Sequence, residues 1–105
     1  MATALYFLKG SSRYIKIGRS SNFAKRLSEI RRGTTDEYIN VLAVFYSDAE
    51  TIDERERELH RLLESDNFKG EWFHDTAEVR AALESCDREF NPEYYAEADI
   101  RMGTL

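Results

Sequence analysis

Residues 4–32 read ALYFLKGSSRYIKIGRSSNFAKRLSEIRR, and this stretch decides the fold because it predicts a hairpin followed by a helix. Apolar and aromatic residues predict two strands, over residues 4–9 and 14–19, and the Gly-Ser-Ser between them is typical of a turn. In the second strand Lys16 lies on the face opposite the two isoleucines. We expect Tyr6 to pair with Lys16 across the hairpin, which would place both side chains on one face.

The helix that follows begins near Ser20-Ser21-Asn22, which offers several N-caps, and ends near Gly33. Its apolar residues recur with helical spacing and predict one buried stripe. Arg26 lies about 60° from the centre of that stripe at 100° per residue, so it would leave the helix beside the sheet. The sequence therefore predicts that Tyr6, Lys16 and Arg26 converge on one point.

Charge is divided unevenly along the chain. Residues 1–33 contain eight basic residues and one acid, whereas residues 34–105 contain seven basic residues and nineteen acids. The first third thus carries +7 and the remainder −12, although the whole chain has a net charge of −5. This asymmetry indicates a basic face on an acidic body. A basic face suits nucleic acid, but the same charges also serve simply to solvate a hairpin and a helix.

Length and composition exclude several classes of protein. A chain of 105 residues with 42% hydrophobic content is expected to fold as one domain with a single core. No apolar run approaches the ~20 residues of a membrane span, and the start of the chain lacks the pattern of a signal peptide. Cys86 has no cysteine partner within the chain. We expect a cytoplasmic protein with no membrane partner.

The rest of the sequence completes a small mixed fold. A strand is expected over 39–46, covered on both faces because it is almost continuously apolar. A helix is expected over 50–64 with Leu62 on its buried side, then an aromatic segment at 68–73 and a last helix over 77–85. The expected class is α/β (α+β), with a small three-stranded sheet flanked by helices in the order β-β-α-β-α-(β)-α. The domain would cover residues 1–90, and the acidic residues 91–105 would form a mobile tail.

This order, with Leu5-Tyr6-Phe7 and Lys16-Ile17-Gly18 on its hairpin, resembles the GIY-YIG nuclease superfamily over about residues 4–85. The first tripeptide keeps the tyrosine of the signature as Tyr6, and the second has Lys16 where the parent pattern has a tyrosine. The late Gly70-Glu71-Trp72-Phe73 is similar to the phage-associated branch, which also has Lys-Ile-Gly. The resemblance implies a metal-dependent DNA endonuclease with low intrinsic sequence specificity.

The resemblance also implies roles for particular residues. Arg26 falls where the helix arginine of the family falls, and its planar fork suits a phosphate. Tyr6 or Lys16 would act on the attacking water. Lys16 must lose its proton to be a base, which burial or neighbouring cations favour; otherwise it can only hold phosphate. Arg19 is a second candidate for phosphate binding.

Glu56 is the expected ligand of one Mg²⁺ or Mn²⁺, because the family pattern and the helical phase both select it. Magnesium often binds only one or two protein carboxylates and retains several waters. Glu58 is the second choice, but the phase turns it towards solvent, and Glu71 is a further acidic candidate. His60 would act as a catalytic residue near the metal water, with a structural histidine at the core margin as the alternative.

Two functions remain open on the sequence. The leading one is the endonuclease, binding DNA through the basic first third of the chain. The alternative is a non-catalytic interaction protein with the same fold, such as a phage-encoded regulator that binds a host protein through the acidic remainder.

Overall fold

The computed structural model describes residues 2–92 and has a small mixed α/β fold. Most of the predicted tail, residues 93–105, lies outside the described residues, so the prediction of a mobile segment stays a prediction. A short 3₁₀ turn, Glu64–Asp66, follows the second helix. The strands and helices, in chain order, are β1 (Thr3–Gly10), β2 (Ile15–Ser20), α1 (Phe23–Gly33), β3 (Ile39–Ser47), α2 (Ala49–Leu62), β4 (Asn67–Lys69), β5 (Trp72–Phe73) and α3 (Ala77–Phe90).

The sheet has five antiparallel strands in the order β3-β1-β2-β5-β4, so the expectation of three strands is wrong. The two additional strands come from the aromatic segment. Gly70 adopts a left-handed conformation with φ +57°, which lets the chain turn back after β4. The resulting short hairpin then pairs with the free edge of β2, where Ile15 lies opposite Phe73.

The two faces of the sheet pack against different helices. On one face Leu5, Phe7, Ile15 and Ile17 are fully buried in a core shared with α2 and α3. On the other face Tyr6, Leu8 and Ile39 pack under the apolar stripe of α1, formed by Phe23, Leu27 and Ile30. This arrangement follows from strand alternation, which sends successive residues of β1 to opposite faces. No helix within residues 2–92 is long and apolar enough to cross a membrane.

Two burial predictions are wrong. Strand β3 is at the edge of the sheet, and Tyr46 is 58% exposed, so the strand is not covered on both faces. Its apolar run reflects an edge strand with exposed aromatic and aliphatic residues rather than a central one. Leu62 is 74% exposed because α2 ends there and the chain turns, leaving Leu59 and Leu63 to fill the core.

Side-chain caps fix the start of each helix. The Asn22 side chain, one of three candidate N-caps in the sequence, accepts a hydrogen bond from the Lys25 amide at the start of α1. Asp48 caps α2 by accepting a hydrogen bond from the Thr51 amide. Helix α3 begins after Thr76, as predicted, and runs about one turn beyond its predicted end.

Asp75 joins the end of β1 to the start of α3. Its carboxylate accepts two hydrogen bonds from the Arg80 guanidinium, each 2.8 Å, and one from the Lys9 ammonium at 2.7 Å. These bonds hold the pKa of Asp75 well below its usual value, with the Arg80 bonds making the largest contribution. The ionised carboxylate is therefore more stable in the folded protein than in the unfolded chain.

We expect Asp75→Asn to lower the free energy of unfolding by about 1–2 kcal/mol at pH 7. A carboxyl group with a depressed folded pKa stabilises the protein above its unfolded pKa of about 3.9, and that contribution is lost as the pH falls further. The difference between wild type and variant should therefore shrink below about pH 4. Urea unfolding at pH 7 and at pH 2.5 measures it, and an equal difference at both would contradict the assignment.

Candidate functional site

Tyr6 lies in the middle of β1 and is fully buried. It pairs with Gly18, and Lys16 pairs with Leu8, so the predicted pairing of Tyr6 with Lys16 is wrong. The turn shifts the register by two residues. Because side chains alternate with a period of two, a shift of two leaves Tyr6 and Lys16 on the same face, whereas a shift of one would separate them.

The hydroxyl of Tyr6 needs the absence of a side chain at Gly18. A Cβ atom at Gly18 would lie 2.5 Å from Tyr6 Oη and 2.6 Å from its Cζ. Phe23 of α1 packs on the tyrosine ring, with 5.4 Å between ring centroids. The phenol is thus held between the bare backbone of β2 and the first turn of α1.

Arg26 meets Tyr6 directly, as the sequence predicted. The guanidinium interacts with the phenol oxygen and favours the ionised form of the phenol. Burial nevertheless raises the pKa of Tyr6 above 10.0, with Glu71 and Glu56 contributing in the same direction. The phenol therefore remains protonated at neutral pH, and it can donate a hydrogen bond of its own.

Lys16 and Glu71 form an ion pair beside this contact. Lys16 Nζ lies 3.2 Å from Glu71 Oε2, and the lysine side chain is almost completely buried. The same ammonium lies 5.3 Å from the centroid of the Trp72 ring. The Glu71 carbonyl accepts a hydrogen bond from the Ile17 amide, at 3.0 Å, which fixes this residue against β2. Oε2 of Glu71 is buried and makes no hydrogen bond.

Glu56 lies on α2 at the margin of the core, as its helical phase predicted, with its side chain only 16% exposed. Burial is the main reason that its pKa is raised, and the negative charge of Glu71 adds to the effect. Glu56 and Glu71 both raise the pKa of Tyr6. Helix α2, which carries Glu56, nevertheless packs on the face of the sheet opposite to that of Tyr6 and α1. Glu58 is largely exposed and pairs with Arg55, which agrees with the predicted phase.

His60 and Arg19 are placed differently from the other candidates. His60 Nε2 lies 3.0 Å from the carbonyl oxygen of Ile17, and its ring packs edge-on against Phe73. This ring nitrogen is satisfied by the backbone, as in the structural alternative considered above. Arg19 leaves β2 towards α2, where its Nε lies 3.1 Å from Asp53 Oδ1 and 4.0 Å from Glu56 Oε1.

Asp53 was not predicted as a site residue, and Glu71 was predicted only as a further acidic candidate. Asp53 lies three residues before Glu56 on α2, so helical spacing could have identified it as a neighbour. No periodicity identifies Glu71, because its position depends on β5 pairing with β2. Within residues 2–92 the structure contains no group of three or more histidine, cysteine or acidic residues able to hold a metal ion.

An open cavity of about 390 Å³ adjoins the cluster, between α1 and β5. The two cations of the cluster, Lys16 and Arg26, are both in its wall. The residues that line it are Lys16, Arg26, Glu29, Ile30, Gly33, Thr34 and Trp72. The cavity gives a ligand access from solvent to both cations.

Comparison with known proteins gives one match. A family model described as the T5orf172 domain matches residues 3–89, which include every element from β1 to α3 except the last residue of that helix. No curated protein and no solved structure matches the chain.

Proposed function

This chain belongs to the T5orf172 domain family, and we propose that it is a metal-dependent DNA endonuclease of the GIY-YIG type. One observation carries the proposal. The buried Tyr6 phenol interacts with Arg26, Lys16 is paired with Glu71, and the two cations Arg26 and Lys16 both line an open cavity. These residues come from β1, α1, β2 and the turn before β5. A core needs no such gathering of charge, because burying charged groups is unfavourable.

The carboxylates fit a single divalent cation of the Mg²⁺ or Mn²⁺ type. Glu56 offers a largely buried carboxylate whose ionised form would be stabilised by a cation, and Glu71, whose Oε2 is paired with Lys16, is a second acidic group close enough to raise the pKa of Glu56. Magnesium requires only one or two protein carboxylates, so a site without a third acidic ligand is chemically adequate. When bound, such an ion polarises a phosphoryl oxygen and lowers the pKa of a bound water.

The protein's own groups supply the remaining functions. Arg26 would hold a nonbridging phosphate oxygen with the part of its fork that Tyr6 does not use. Tyr6, which is fully buried and does not line the cavity, would position the Arg26 guanidinium. Lys16 would add positive charge next to the phosphate. The ion pair with Glu71 keeps the Lys16 ammonium at the cavity wall. Arg19, beside Glu56, would contact a neighbouring phosphate, and His60 would hold β2 in place.

The direct test is nicking of supercoiled plasmid by the purified protein. We expect relaxed circles to accumulate with about 5 mM Mg²⁺ or Mn²⁺, because a weakly held ion binds at millimolar concentrations. None should form in excess EDTA. DNA affinity should fall steeply between about 50 and 200 mM salt, because several phosphate contacts release counterions. Equal nicking with metal and with EDTA would contradict the proposal.

A non-catalytic interaction protein is the second candidate. The charge of −12 over residues 34–105 favours it, since an acidic surface repels nucleic acid and attracts basic proteins. Such a scaffold would have little DNA affinity at any salt concentration and would not nick DNA. The same two measurements therefore separate the candidates.

A further inference from the structure

Helix α1 covers only part of its face of the sheet. Its stripe packs over β1 and β3, with Trp72 at the margin of the contact. Beyond that margin lie three rings, Tyr14, Phe68 and His74, which we call the aromatic platform. Phe68 is 50% exposed, and His74 is also exposed. The opposite face of the sheet packs against α2 and α3.

The platform rings hold one another in a fixed arrangement. Tyr14 and Phe68 are stacked, with 4.0 Å between centroids and 7° between planes. His74 packs edge-on against both, at 5.5 Å from Tyr14 and 5.7 Å from Phe68. Proteins that bind single-stranded nucleic acid stack bases on exposed aromatic side chains, because every base offers a flat face.

Positive charge lies next to the platform. A cavity of about 470 Å³ is lined by Lys9, Ser12, Arg13, Tyr14, His74 and Asp75. Asp75 is the one acidic residue in that lining, and Lys9 and Arg80 already neutralise it. Arg13 is exposed on the turn between β1 and β2, where its own φ is +76°. A phosphate attached to a stacked base would meet this cavity.

The platform continues into the proposed nuclease site. Tyr14 lies two residues before Lys16, so strand alternation places both on one face, separated by roughly 6.6 Å. Trp72, next to the Lys16 ammonium, is also two residues from His74. A single strand whose base stacks on Phe68 can therefore place a phosphate close by at Lys16 and Arg26.

We infer that the aromatic platform binds an unpaired nucleobase, and that the substrate is DNA with a single-stranded segment beside the cleaved bond. The inference rests on the proposed function only for the position of cleavage, since binding does not require catalysis. Stacking of one base contributes about 1–3 kcal/mol, which corresponds to roughly 5- to 150-fold in affinity. An intact duplex keeps its bases paired and gains none of this.

Binding is tested by fluorescence anisotropy with a labelled single-stranded 12-mer and the matching duplex, using the Glu56→Gln protein to prevent cleavage. We expect tighter binding of the single strand, and Phe68→Leu should weaken it at least ~5-fold with little effect on the duplex. Phe68→Trp should restore it. Tyr46→Leu, which changes an exposed aromatic residue on the far edge strand, should have no effect.

Equal weakening of single strand and duplex by Phe68→Leu, or a preference for duplex in the starting protein, would overturn the inference. If circular dichroism shows that Phe68→Leu is unfolded, Phe68→Trp and Arg13→Ala test the inference instead. Phe68→Trp should keep single-strand binding, and Arg13→Ala should weaken it. Nicking of plasmid without single-strand preference would reject this inference and leave the proposed function standing. Single-strand preference without any metal-dependent nicking would support this inference and reject the proposed function.

Discussion

Replacing Glu56 with glutamine is expected to reduce Mg²⁺-dependent nicking by ~100-fold or more, the loss that follows removal of one electrostatic stabiliser of a transition state. The amide keeps the size of the carboxylate but lacks its charge. Plasmid nicking rates at saturating metal measure the effect. In a titration with Mn²⁺, the nicking rate of the variant should depend less on metal concentration than that of the wild type.

The stability of this variant should not fall with its activity. Burial raises the pKa of Glu56, which means that the fold disfavours its ionised form. Removing that charge is therefore neutral or slightly stabilising at pH 7, and Arg19 retains its closer partner Asp53 at 3.1 Å. If Glu56→Gln loses both nicking and the fold, the role of Glu56 is structural.

Glu54→Gln is the matched control for this experiment. Glu54 lies on the same helix and is exposed, so the substitution makes the same chemical change away from the cluster. We expect wild-type nicking from it. Unchanged nicking in Glu56→Gln, or equal loss in both variants, would exclude Glu56 as the metal ligand.

Gly18→Ala is expected to lower the free energy of unfolding by about 1–3 kcal/mol, the usual cost of overpacking a core. The added methyl group would lie 2.5 Å from Tyr6 Oη, far inside contact distance. The tyrosine cannot move aside easily, since it is fully buried and packed by Phe23. Urea unfolding measures the change, and nicking should fall as the phenol is displaced.

Gly33→Ala provides the comparison. Gly33 is the last residue of α1, and a Cβ there would meet no atom within 4 Å. Because alanine favours helix over glycine, this variant should be as stable as wild type or more stable by up to ~1 kcal/mol. A Gly18→Ala protein as stable as Gly33→Ala would show that the close approach to Tyr6 does not constrain the site.

The sequence by itself determined the local structure and the faces of its elements. Alternation in β2 placed Lys16 opposite the buried isoleucines, and the helical period placed Arg26 beside the sheet and Glu56 at the core margin. These predictions depend on residues close together in the chain, whose spacing directly fixes their relative direction. Candidate caps located the starts of all three helices to within a residue or two, and Gly33 marked the end of α1.

Only the tertiary structure decided which elements are neighbours. The pairing of Tyr6 with Gly18, the hairpin of β4 and β5 that extends the sheet, and the exposure of β3 at its edge all depend on contacts between distant segments. Glu71 reaches Lys16 through the same long-range pairing. Periodicity specifies the direction of a side chain from its own backbone, but the partner across a strand is set by turn geometry and by packing of the whole core.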